Sequence, residues 1–160
     1  MGVVEEDFYE AIANFKGASK RLEKIAESAQ TVIYKDFAHS PSKVAATTRA
    51  MKDQYPHRKV IACLELHTYS SLNPEFLQEY KGALAAADTA VVFYSPHAVE
   101  IKKLDPISSD QIASAFERDD LLIFTAPAAF KAYLFEMSLK NTALLLMSSG
   151  NYGGLDFDQL

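Results

Sequence analysis

From Thr31 onward the chain alternates between short β-branched or apolar runs and longer segments in which apolar residues recur at helical spacing. The runs at residues 32–36, 60–64, 89–94, 121–125 and 143–147 predict strands. Between them, Val44, Thr48, Met51 and Tyr55 mark one buried helix face, and Phe76, Leu77, Tyr80 and Leu84 a second. Ile112, Ala113 and Phe116 mark a third, and Phe130, Tyr133, Leu134 and Met137 a fourth. Ser40-Pro41 and Asn73-Pro74 each put a capping residue before a proline suited to the first helical position, and Pro56 stops the first of these helices. Strands alternating with helices are the pattern of stacked βαβ units. Ahead of Thr31, residues 5–15 read as a helix broken at Gly17. Leu22, Ile25 and Ala26 then mark residues 21–27 as an antiparallel edge strand. The expected fold is α/β: a Rossmann-like three-layer domain with a mostly parallel sheet of about six strands and one antiparallel edge strand, formed as one domain over residues 1–160.

Composition agrees with an ordinary globular domain: 49% of the 160 residues are hydrophobic and 23% charged, with only six glycines and six prolines. A chain of this length removes roughly two-thirds of its unfolded surface from water, enough for one core. The formal charge is -5 and the 16 Lys and Arg are scattered, so no basic stripe suits a nucleic-acid backbone. The apolar run 143–147 falls far short of the roughly 20 residues needed to cross a bilayer, and no signal peptide opens the chain, which points to the cytoplasm with neither nucleic acid nor membrane as partner. Cys63 is the one cysteine and lies inside the run 60–64, where it reads as a buried structural thiol, with no disulfide or cysteine zinc site available.

In open α/β sheets ligands settle beyond the carboxyl ends of the strands, beside helix N-termini whose free N–H groups favour anions. That rule selects three polar loops, at residues 35–40, 65–71 and 148–154. In the first, Asp36 ends a strand and His39 precedes a capped helix. The carboxylate could accept from sugar hydroxyls and the imidazole could meet a phosphate, or both could simply satisfy turn backbone groups. The second gathers Glu65, His67, Thr68, Tyr69, Ser70 and Ser71, equally readable as a solvated loop. His57 and His97, each beside a proline, read as turn residues. The third holds three of the six glycines, at Gly150, Gly153 and Gly154, a sign of a tight turn or a close approach. No Gly-Lys-Thr or Gly-Lys-Ser cradle for nucleotide phosphates occurs, no G-x-S-x-G elbow, and no metal-ligand spacing.

Phe15-Lys16-Gly17-Ala18-Ser19-Lys20-Arg21-Leu22-Glu23 followed by Asp36-Phe37-Ala38-His39-Ser40-Pro41 closely resembles the opening of the C-terminal domain of Mur ligases. In that family an F-x-G-x-x-[RK]-R-x-E stretch leads to D-[YF]-x-H-x-P. His67-Thr68-Tyr69-Ser70 looks like the family's P-H-T-Y-S loop, and residues 146–154 resemble a terminal M-S-x-G-x-[FY]-G-G. The resemblance implies one of three domains, the others being an N-terminal UDP-sugar domain and a central ATPase domain that carries the P-loop and magnesium ligands. Those two domains are the implied partners. The implied chemistry is phosphorylation of a substrate carboxylate by ATP to an acyl phosphate, which an amine then attacks. ATP and Mg2+ are the implied cofactors, with Mg2+ held mainly by the central domain. By resemblance Arg21 and Asp36 contact ATP, with Lys20 and His39 near the same nucleotide edge, while His67, Thr68, Tyr69 and Ser70 line the nucleotide or acceptor side. No residue here is expected to be catalytic or metal-binding alone, and the isolated domain is expected to be inactive.

Within the family the terminal motif looks most like the branch that joins the tripeptide L-Ala-γ-D-Glu-meso-diaminopimelate to UDP-N-acetylmuramate in peptidoglycan recycling. The nearest rival adds L-alanine to the same sugar nucleotide. Leu66 departs from the family's proline, and Ser71 stands where the alanine-adding enzyme carries an arginine suited to a carboxylate. A reading of another class is a non-catalytic binding module that shares the fold.

Overall fold

The computed structural model describes residues 21–157. Its six-stranded sheet comprises β1 (Glu23–Glu27), β2 (Thr31–Asp36), β3 (Lys59–Leu66), β4 (Thr89–Tyr94), β5 (Leu122–Phe124) and β6 (Thr142–Met147), in the spatial order β1-β2-β6-β3-β4-β5. Only β1 and β2 pair antiparallel; all other neighbours are parallel. The helices are α1 (Pro41–Gln54), α2 (Pro74–Leu77, extended by a 3-10 turn at Gln78–Tyr80), α3 (Pro96–Ile101), α4 (Ser109–Phe116) and α5 (Pro127–Glu136). The expected α/β three-layer architecture with its antiparallel edge is therefore the observed one. The helix expected at residues 5–15, the break at Gly17 and the Lys20 side chain lie outside the described residues.

The central strands are apolar on both faces because both faces are covered. On one face Val60, Ala62 and Leu64 of β3 pack with Val32, Ala143 and Leu145 against Val44 and Met51 of α1, Leu77 and Tyr80 of the α2 segment, and Ile112 and Phe116 of α4. On the other, Ile61 and Cys63 join Ile33, Leu144 and Leu146 against Phe130 and Leu134 of α5 and against Tyr152 and Phe157 of the terminal segment. Each such side chain contributes roughly 1.5–3 kcal/mol by leaving water. Burial pushes the Cys63 thiol well above its ordinary range, so it stays protonated and acts as a small apolar filler.

Two segments depart from the expected pattern. Phe76, Leu77, Tyr80 and Leu84 do turn inward, but along a broken path: α2 closes after four residues and gives way to the 3-10 turn, with Gly82 at φ +69° beyond it. Long-range contacts set this path. Tyr80 stacks on Phe116 with ring centres 5.1 Å apart, and its hydroxyl donates to the His39 carbonyl. The guanidinium of Arg118 donates to the carbonyls of Leu84 (2.7 Å) and Ala87 (2.9 Å), taking over acceptors that a continuous helix would have used itself. The second departure is α3, which makes His97 a helical residue rather than a turn residue. Its six residues bury only Val99, too little to register as a period.

Asp88 ties three elements together. Its carboxylate accepts from the Val60 N–H at the start of β3 (2.7 Å) and from the Lys52 ammonium near the end of α1 (2.7 and 2.8 Å), just before β4 begins. Burial opposes its ionisation, but Lys52, the Val60 N–H and nearby Lys59 together hold its carboxyl below the ordinary value. A depressed folded-state pKa supplies stability above the ordinary value and loses it as pH falls through the folded one. Asp88→Asn should therefore lower the urea midpoint at pH 7, and the gap to wild type should narrow as pH drops below about 4. A gap independent of pH would mean that the charge contributes nothing.

Candidate functional site

The carboxyl ends of β2, β6 and β3 lie side by side, and the chain leaves them in opposite directions. From β2 and β3 it continues into α1 and α2, which pack on one face, whereas from β6 it turns onto the other face through Tyr152 and Phe157. This divergence opens a crevice at the strand ends, the place where open α/β sheets take ligands.

Beside β2 the crevice forms a groove of about 470 Å³ lined by Arg21, Asp36, Phe37, Ala38, Lys43 and Thr47. Asp36 holds its own loop: one carboxylate oxygen accepts from the Leu22 N–H at 2.5 Å and the other from the Ala38 N–H at 2.7 Å. Each oxygen keeps a further lone pair for the groove. Ser40 makes no side-chain cap, so the first N–H groups of α1 receive no acceptor from it. The groove thus combines two cations and one carboxylate, a set suited to phosphate beside Arg21 and Lys43 and to hydroxyl groups beside Asp36. His39 is not part of the lining. Its Nδ1 lies 2.9 Å from the Phe37 carbonyl and its ring meets the Phe37 ring edge-on, so it braces the turn.

Beside β3 a carboxylate is buried. Glu65 is 3% exposed as a side chain, and its Oε2 accepts from the Ser148 hydroxyl and from the Tyr152 N–H at 2.8 Å. Its Oε1 faces His67 Nδ1 at 3.7 Å, within ion-pair range. Gly150 is required for this contact, because a Cβ there would lie 2.8 Å from both Glu65 Oε2 and His67 Cγ. Tyr152 anchors the same loop from below, its buried hydroxyl shared between the carbonyls of Cys63 (2.9 Å) and Met147 (2.8 Å), and burial holds its ionisation far above the ordinary range. Beyond Glu65 the loop splits into inward and outward residues. Thr68 and Ser71 bond to one another through hydroxyls and backbone, and Ser71 is 2% exposed. Tyr69 points out, 63% exposed, with the Lys102 ammonium 4.4 Å from its ring centre.

Residues 20–150 match the family model described as Mur ligase, glutamate ligase domain. The chain belongs to the Mur ligase family. Among relatives, a UDP-N-acetylmuramate–L-alanine ligase of Caldanaerobacter subterraneus subsp. tengcongensis is 30% identical over 94% of this chain and 33% of its own length. One from Caldicellulosiruptor bescii is 33% identical over 70% of this chain and 24% of its own. The chain therefore spans a third or less of these relatives. Among solved structures, the murein peptide ligase of Psychrobacter arcticus shares the fold with a TM-score of 0.67 at 18% identity, over 91% of this chain and 30% of that one. The UDP-N-acetylmuramate–alanine ligase of Thermotoga maritima does so with 0.62 at 16% identity, over 88% and 29%.

In this Mur ligase domain, Arg21 and Asp36 come together in one groove, while His39 stays out of its lining and contacts Phe37. Lys43 joins them although nothing singled it out in the sequence; its position in the first turn after Ser40-Pro41 was the available signal. In the loop after β3, His67 and Tyr69 reach the surface and Thr68 is drawn inward with Ser71, so Ser71 serves the loop's own hydrogen bonding rather than a ligand. Glu65 belongs to the strand, not the loop, since β3 runs on to Leu66. Gly150→Ala should displace either the Glu65 carboxylate or the His67 ring at a cost of about 1–3 kcal/mol. Urea denaturation measures the loss, and wild-type stability would show that the three groups are not in contact.

Proposed function

We propose that this chain is the C-terminal domain of a three-domain, ATP-dependent ligase that joins L-Ala-γ-D-Glu-meso-diaminopimelate to UDP-N-acetylmuramate through an acyl phosphate, in peptidoglycan recycling in the bacterial cytoplasm. Arg21, with Lys20 and Lys43, takes the phosphate charge of ATP. Asp36 accepts from the ribose, and His39 holds the turn that presents it. ATP supplies the phosphoryl group that activates the sugar's carboxylate, and the magnesium ion that accompanies it is held by the other domains of the full chain. His67, Thr68, Tyr69 and Ser70 form the acceptor side of the cleft. The reading is supported by the groove lining, which sets two cations, Arg21 and Lys43, together with the acceptor carboxylate of Asp36.

The observation that favours a peptide acceptor is the closed Thr68–Ser71 turn. A free amino acid needs its carboxylate pinned by a fixed cation, and this loop offers no guanidinium: Ser71 is buried and its hydroxyl is spent on Thr68. A longer acceptor spreads recognition over its additional carboxylates. Addition of L-alanine is the second reading, favoured by the likeness in sequence to two UDP-N-acetylmuramate–L-alanine ligases.

The full-length ligase should give a kcat/KM for the tripeptide at least about tenfold above that for L-alanine, the value of one charge-assisted contact. Equal values, or a preference for alanine, move the assignment to the second reading. In the same assay Arg21→Ala should lower kcat/KM for ATP by about tenfold or more without altering stability, because the side chain is exposed. Unchanged ATP kinetics would remove Arg21 from the nucleotide site. The 160-residue chain alone should form no amide, since it encodes no phosphate cradle.

A further inference from the structure

β1 pairs with β2 from Glu23, opposite Lys35, and the same register carried one step back would set Leu22 opposite Asp36 as a further extended residue. The chain does not continue that way. Leu22 has φ +47°, in the left-handed region, and its N–H donates to Asp36 Oδ2 at 2.5 Å. An extended residue has φ of about −140°, so the backbone changes direction at Leu22. The residue before it is Arg21, which lines the groove with Lys43. A left-handed backbone is unfavourable for leucine and persists only where the surroundings impose it. Two contacts do so here: the side chain packs, partly buried, against the core on the α1 face, and the N–H is held by the Asp36 carboxylate. The other Asp36 oxygen takes the Ala38 N–H at 2.7 Å, so one carboxylate joins the entry to β1 to the exit from β2. β1 is an edge strand with β2 as its one neighbour, so this turn can open without unfolding the sheet. The placement of Arg21 therefore depends on the turn itself.

We infer that Leu22 is a positioning residue: its left-handed backbone, clamped by the Asp36 carboxylate, places Arg21 in the lining of the groove. Asp36 then serves the groove twice, through its remaining lone pairs and through the cation that its bond to Leu22 positions. The phosphate of ATP as the ligand of Arg21 rests on the ligase reading, whereas the turn follows from the backbone geometry alone.

Two substitutions with opposite demands separate the backbone from the side chain. Leu22→Ile keeps the apolar volume, but a β-branched residue fits badly at positive φ. Leu22→Asn gives up the apolar contact and accepts the left-handed conformation. Amide hydrogen exchange of the 160-residue chain, followed residue by residue by NMR, should show the residue-22 N–H protected in wild type and in Leu22→Asn. In Leu22→Ile it should exchange at least about tenfold faster. An unprotected Leu22 N–H in wild type overturns the inference and needs no variant, so a poorly folded variant does not shelter it. Protection kept in Leu22→Ile, or lost in a folded Leu22→Asn, also overturns it. In the full-length ligase Leu22→Ile should lower kcat/KM for ATP by about tenfold, as removal of Arg21 does, and Leu22→Asn should lower it less. In an Arg21→Ala background Leu22→Ile should cause no further loss, because its effect runs through Arg21. A further loss there, unchanged ATP kinetics in Leu22→Ile, or an equal loss in both variants overturns the positioning role. A full-length wild type that forms no amide refutes the ligase reading instead, and the exchange measurement still decides the turn.

Discussion

The last strand in sequence is the middle strand in space. β6 pairs with β2 on one side and β3 on the other, over Thr31–Asp36 and Lys59–Leu64, and every one of its residues is buried. β2 and β3 do not pair with each other. Until β6 is in place the sheet is two fragments with open edges, and the apolar faces that α1 and α5 cover are incomplete. The loop closure that brings residue 142 beside residue 31 spans most of the described chain, and its entropy has to be offset by the burial that β6 completes on both faces.

The same insertion makes the crevice. Because β6 enters from the far end of the chain, the segment that leaves it goes to the α5 face, while the segments leaving its two neighbours go to the opposite face. The strand ends of β2, β6 and β3 are consequently exposed together, with Asp36 and Glu65 flanking Ser148. Backbone contacts hold this row: the Ser148 N–H donates to the Asp36 carbonyl at 3.0 Å, and the Ser148 hydroxyl turns the other way to Glu65. One serine therefore links the Asp36 loop to the buried carboxylate.

Most of the polar chemistry at this edge is occupied by the protein itself. Asp36 caps two N–H groups, Thr68 and Ser71 close a turn, and Glu65 collects the donors of the terminal loop. Such groups are held within narrow limits by their structural bonds and retain only part of their hydrogen-bonding capacity for a ligand. Preorganisation of this kind restricts what each remaining lone pair can meet, while Arg21 and Lys43 line the groove and the partly exposed His67 lines the cleft beside Glu65.

By itself the sequence determined the local elements and their order. The β-branched runs and the 3.6-residue spacing of Val44, Thr48 and Met51 or of Phe130 and Leu134 predict strands and helices that the structure contains, because these patterns express which face must leave water. The motifs around Arg21, Asp36 and His67 likewise carry the family, since they are read from identity and spacing alone. Tertiary structure decided what depends on distant partners. The helix through Phe76 and Leu84 breaks because Phe116 and Arg118 compete for its side chains and carbonyls. The short α3 has too small a buried face to leave a periodic trace. Lys43 enters the groove only once α1 is docked beside Asp36. Glu65 reads as a loop carboxylate until β6 brings Ser148, Gly150 and Tyr152 across 83 to 87 residues of chain to surround it. Periodicity records burial, which is local in sequence; the pairing of a buried charge is set by whichever residues the sheet order brings beside it.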